Sequence, residues 1–123
     1  DAYHLLASDA VVANLNGRVP DEGTVVEAAV SWHAGKALVL FKNDARSPFA
    51  GHDNPMLTCL TDLRITGHIE SLPAAVETAL RLASPTRGVD ASRIGERIAT
   101  FLASDPEDEA LAAFLEREDL FKK

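Results

Sequence analysis

The sequence predicts an α/β fold, a flavodoxin- or Rossmann-like parallel sheet flanked by helices. Three observations carry that reading. Residues 10–15 and 37–41 are short, Val- and Leu-rich runs bounded by turn residues, the pattern of buried strands. The stretch between them repeats its apolar residues with a helical period. Short apolar strands that alternate with amphipathic helices are those of a parallel sheet covered on both faces.

Taken in order, residues 2–8 carry Tyr3, Leu5 and Leu6, enough for the last turns of a helix. The first strand follows, then a loop over residues 16–22 marked by Gly17 and Pro20. A helix is expected over residues 23–34. Its buried stripe would be Val26, Ala29, Val30 and His33, at i, i+3, i+4 and i+7, and Gly35 would cap its end. After the second strand, residues 42–53 form a long loop with Pro48 and Gly51. Asn54-Pro55 then reads as a cap followed by proline at the first helical position. That helix would carry Met56, Leu57, Cys59 and Leu60, with Cys59 in the core. Residues 64–70 read as a weaker strand through Ile65 and Ile69.

Three helices close the chain. They span residues 71–83 (Leu72, Val76, Leu80), residues 90–103 (Ile94, Ile98, Phe101, Leu102) and a last segment capped by Asp105-Pro106, with Leu111, Phe114 and Leu115. The expected organisation is an α/β domain over residues 1–88 and a helical extension, residues 89–123, packed on it. Three strands are few for such a sheet, and the chain opens on Asp1 in what reads as the end of a helix. A preceding strand–helix unit outside this sequence is therefore expected.

Bulk properties narrow the function. The formal charge of −7 argues against a broad nucleic-acid surface, which needs a basic face. No apolar run approaches the roughly 20 residues of a membrane span, and no signal-peptide pattern opens the chain. One cysteine, Cys59, allows no intrachain disulfide and fits a reducing, cytoplasmic setting. His4, His33, His52 and His68 lack paired metal-ligand spacing, so neither metal nor cofactor is expected. His33 reads as a buried or boundary histidine and Trp32 as packing.

Open parallel sheets bind ligands beyond the carboxyl ends of their strands, which here are followed by residues 14–27, 42–54 and 66–71. The first stretch is the most informative: Asp21-Glu22-Gly23-Thr24-Val25-Val26-Glu27. Gly23 lets a backbone approach a ligand closely. Glu27 falls about a turn into the helix, at the edge between core and cleft, where a carboxylate can attack a sugar carbon. A second carboxylate would manage the proton of the leaving base. The plainer alternative is that Asp21 caps the helix and Glu27 is solvated.

Asp9-Ala10-Val11-Val12-Ala13-Asn14-Leu15, then Asp21-Glu22-Gly23-Thr24 with Glu27, then Ala34-Gly35-Lys36 and an apolar strand, resembles the core of the nucleoside 2-deoxyribosyltransferases. The match runs over about residues 8–42 and more loosely to Asn54. The resemblance implies that Glu27 is the nucleophile of a glycosyl-enzyme ester, that Asp21 holds sugar hydroxyls and orients Glu27, and that Asp9 contacts the base and moves its proton. Asn14, Gly23, Thr24, Arg46 and Asn54 are the substrate contacts it implies, Arg46 as a partner for a 5′-phosphate. Arg46 can equally pair with Asp44 or Asp53, and Asn54 can serve only as a cap. The family's first strand, which contributes an aromatic residue to the base pocket, has no counterpart here.

Double displacement at one carbon retains configuration. A nucleobase acceptor makes a transferase; water makes a hydrolase, with a deoxynucleoside 5′-monophosphate N-glycosidase as the close alternative. A non-catalytic nucleotide-binding or signalling module of the same fold is the alternative from another class. A nucleoside or nucleotide is the expected partner, together with further copies of the chain in a homodimer or higher homo-oligomer.

Overall fold

A computed structural model describes residues 2–47, 53–104 and 107–117, and only the backbone of residues 108, 111 and 115. Its contacts divide the chain into two compact units, residues 1–88 and 89–123.

The first unit is a Rossmann-like α/β layer. Strand β1 (Ala10–Asn14) pairs in parallel with β2 (Ala37–Phe41), and β2 with β3 (Ile65–Thr66), so β2 is central in the order β1-β2-β3. β2 is buried at all five positions, as a strand covered on both faces must be. Helix α2 (Glu22–His33) sets fully buried Ala28 against Ala13, Leu15, Leu38 and Leu40. Helix α4 (Leu72–Leu82) also packs on β2 and β1. A short helix α1 (Ala2–Ala7) precedes β1, and a four-residue helix α3 (Pro55–Thr58) supplies buried Leu57.

Several expectations change on contact with the fold. The predicted stripe of α2 faces solvent: Val26 is 61% and Val30 41% exposed, and Ala29 and His33 are exposed too. The packed stripe is Val25, Ala28, Ser31 and Trp32. Apolar residues ring most of this helix, so the sheet selects the stripe. The hydroxyl of buried Ser31 is satisfied by donating to the Glu27 carbonyl at 2.7 Å. β1 is less buried than a central strand, with Val12 44% exposed, because it lies at the edge of the described sheet. β3 is two residues long rather than seven. Gly67 follows it, and Ile69 lies exposed in a 3-10 turn. Cys59 and Met56 are exposed, while Leu57 and Leu60 provide the packing.

Gly35 ends α2 as expected. Its φ is +75°, its N–H donates to the Trp32 carbonyl at 3.0 Å, and a Cβ there would lie 1.9 Å from the Ser84 carbonyl oxygen. Only glycine fits both demands.

Helix α5 (Arg87–Leu102) begins with the last two residues of the first unit; in the second unit it and α6 (Asp108–Arg117) bring Phe101 and Phe114 into parallel stacking, ring centroids 4.3 Å apart. Leu102, expected on the packed side, is half exposed. The cap expected at Asp105-Pro106 lies outside the described residues. No helix among the described residues is long and apolar enough to cross a membrane.

Candidate active site at the start of α2

The chain leaves β1 through a turn built by side-chain amides. Asn14 Oδ1 accepts the Asn16 N–H at 3.1 Å, which folds the backbone out of the strand. Asn16 and Asn43 then bond reciprocally: Asn16 Nδ2 donates to Asn43 Oδ1 at 2.7 Å, and the Asn43 N–H donates to Asn16 Oδ1 at 3.0 Å. The Gly17 N–H donates to Asp44 at 3.0 Å. The loops that follow β1 and β2 are thereby tied to each other above the carboxyl ends of their strands.

Asp44 is fully engaged. Besides Gly17 it accepts the Arg46 N–H at 2.9 Å and Arg46 Nε at 3.0 Å, and it also takes Arg46 Nη2. The guanidinium bonds first, then the Arg46 backbone N–H, hold its carboxyl far below the usual carboxylate range. Lys42 Nζ meets Asp53 Oδ1 at 2.7 Å, and both side chains are almost fully buried. Both cations of this loop's described residues are therefore committed to carboxylates.

The opening turn of α2 is arranged differently. Asp21 is its N-cap, with Oδ2 accepting the Thr24 N–H at 3.0 Å and lying 3.5 Å from the Thr24 hydroxyl. A Cβ at position 23 would stand 3.1 Å from the same oxygen, so glycine leaves the cap room. Glu27 lies one turn further along, four residues from Gly23. At about 100° per residue it sits at the margin of the buried stripe centred on Ala28. Helix Cα–Cβ bonds tilt toward the N-terminus, so the Glu27 side chain starts out toward the turn that holds Gly23, a residue with no side chain. Its carboxylate is exposed and takes no hydrogen bond or ion pair among the described residues.

The other expected residues divide. Asn54 caps α3 through the Met56 N–H at 3.0 Å. Asp9 precedes β1 at its amino end, roughly 16 Å along a five-residue strand from the turn after Asn14. It is thus not among the groups at the carboxyl ends, since a strand displaces its two ends by its own length. Sequence reasoning passed over Asn16, Asn43 and the Lys42–Asp53 pair. The Asn-Gly dipeptide at 16–17 was the available signal for the first; nothing local signals an ion pair eleven residues apart.

No curated protein matches the chain. A family profile described as Nucleoside 2-deoxyribosyltransferase does match, over residues 1–74. That span holds the whole sheet, the Asp21–Glu27 turn and the joined loops, in the order and register just described, and the chain belongs to the nucleoside 2-deoxyribosyltransferase family.

Proposed function

We propose that the protein cleaves the N-glycosidic bond of 2-deoxyribonucleosides by double displacement, with Glu27 as nucleophile. One observation carries this reading. Glu27 stands in the family segment one helical turn beyond the Gly23 of the Asp21-capped start of α2, exposed and with no hydrogen bond or ion pair to its carboxylate among the described residues. Attack by Glu27 on C1′ forms a glycosyl ester and releases the base, which gains a proton. Attack by a second base on the same carbon restores Glu27 and retains configuration. Asp21 is a positioning residue in this scheme. Its remaining lone pairs face sugar hydroxyls while its cap bond holds the helix start. Thr24 and Asn14 are further substrate contacts in this reading.

The charge distribution favours a nucleoside over its 5′-monophosphate. A phosphate needs free donors or cations, but Lys42 is buried against Asp53 and Arg46 lies on Asp44. Arg18, exposed on the loop after β1, is the remaining cation of that rim among the described residues. Assembly into a homo-oligomer follows the family, and the outward Val26 and Val30 of α2 supply apolar surface for a second copy.

The test is chromatography of 2′-deoxyinosine incubated with the protein, with and without adenine, beside Glu27→Ala. Base exchange that disappears in the variant supports the transferase. Release without exchange makes the protein a hydrolase. Undiminished turnover by Glu27→Ala removes Glu27 from the chemistry, and no turnover at all leaves a binding module.

A further inference from the structure

A concavity lies beside the open edge of β2 and reaches β3, and none of Asp21, Gly23 or Glu27 lines it. β3 pairs only with Leu40 and Phe41, so the edge of β2 at Leu38 and Val39 has no strand beside it. The space there is flanked by α4, which presents the small side chains of Ala74, Ala75 and Ala79, and is closed at its far side by the turn through Asp62 and Leu63. That turn ends the α3 segment. The Leu63 N–H donates to the Thr58 carbonyl and the Asp62 N–H to that of Cys59, with both turn residues at positive φ. The groove has a volume of about 840 Å³, within the range of small-molecule sites.

Its charge is unusual for this chain. Three charged residues line it, and Asp62 and Arg64 pair at 3.0 Å. Arg87 remains. Its guanidinium stands 5.9 Å over the Trp32 ring, with Nη1 donating to the Lys36 carbonyl at 3.1 Å and Nη2 to the Leu82 carbonyl at 2.7 Å. Among the described residues it makes no ion pair within contact distance; partial burial draws its pKa down, and the more distant charge of Asp62 opposes that in part. A guanidinium has five N–H donors in a planar fork suited to a carboxylate. An acidic protein thus sets a guanidinium without a contacting carboxylate in the wall of a groove of mixed apolar and polar lining, against an indole face.

We propose that this groove binds a small amphipathic monocarboxylate, an aryl- or alkyl-carboxylic acid, with its carboxylate on Arg87 and its apolar body along Leu38, Leu60 and the alanines of α4. The complementarity is of charge and of surface together. A neutral body would leave the guanidinium without a carboxylate partner. The site is independent of the reaction at Glu27.

Trp32 is the single tryptophan, so its emission reports on the groove. The full chain is titrated with 4-phenylbutyrate, 4-phenylbutan-1-ol and 4-phenylbutylamine, which share one body and differ in head charge. The acid should saturate the signal about tenfold more tightly than the alcohol, the scale of one charge-assisted hydrogen bond, with the amine weakest. Arg87→Gln should reduce the acid to the affinity of the alcohol. Ala79→Leu, which fills the groove and keeps Arg87, should abolish binding of all three and serves if Arg87→Gln does not fold. Equal affinity for acid and alcohol, acid binding that survives the tested variant, or no saturation by any of the three overturns the proposal.

Discussion

The start of α2 and the loop after β2 lie at the same end of the sheet, and they treat charge in opposite ways. In the loop, Asp44 accepts bonds from Gly17 and Arg46, and Lys42 is buried on Asp53. On α2, Asp21 is half spent as a cap, and Glu27 is not engaged among the described residues. Groups already satisfied by protein bonds hold shape. A carboxylate left free beside them has its lone pairs available for a substrate. We propose that the contrast separates scaffold from chemistry within one small rim, and substitutions at Glu27, the Lys42–Asp53 pair, Asp21 and Asp44 test it.

The largest effect is expected at Glu27. Glu27→Gln should lower turnover on the order of 10³-fold or more, as loss of a nucleophile does, with thermal unfolding unchanged. A variant with near-native kcat would place Glu27 with the solvated surface.

Lys42→Met should act on stability instead. It leaves the Asp53 carboxylate buried without its partner, a change that costs about 3–5 kcal/mol in denaturant unfolding. The double variant Lys42→Met/Asp53→Leu should recover most of that loss, because a well-packed apolar pair is close to neutral in such sites. If the single variant is as stable as the parent, the pair is not the anchor of this loop.

Asp21 sits on the boundary between the two behaviours. Asp21→Ala should destabilise by about 1 kcal/mol through the lost cap and reduce activity as well. Asp21→Asn keeps a capping oxygen and should restore the stability alone. Full recovery of activity by asparagine would reduce Asp21 to a cap.

The smallest effect concerns Asp44, whose partner Arg46 is exposed. Its carboxyl is depressed in the folded chain, so its contribution is complete above the ordinary carboxylate range near pH 4 and is lost only as pH falls through the lowered value. The Gly17 amide resonance should therefore stay constant from pH 8 to below the range where free carboxylates titrate. In Asp44→Asn it should be shifted at every pH. A Gly17 resonance that moves through pH 4 would show that Asp44 is not held by these bonds.

Much of the fold was legible because it is written in local chemistry. Asp21 followed by Gly23 and Thr24 announces a helix start, since a short acidic side chain satisfies the free N–H groups there. Gly35 announces its end, since the position demands positive φ. Asn54-Pro55 does the same for α3. The resemblance of residues 8–42 to a family rested on these same punctuation marks, and the profile match extends it from residue 1 to 74. The site was legible where residues are close in sequence, as with Asp21, Gly23 and Glu27. It was not legible where partners are far apart, as with Asn16 and Asn43 or Lys42 and Asp53.

By itself, then, the sequence determined the order of strands and helices, the caps that bound α2 and α3, and the family. The tertiary structure alone decided which stripe of α2 is buried, that β1 lies at an edge of the described sheet, that Asp9 stands at the far end of its strand, and that β2 keeps part of an edge open among the described residues. The physical reason is one of range. Caps, turns and periodicity depend on groups within a turn or two along the chain. Burial and charge pairing depend on what the sheet brings alongside, and a helix with apolar residues on most of its circumference carries no local mark of the side that will meet it.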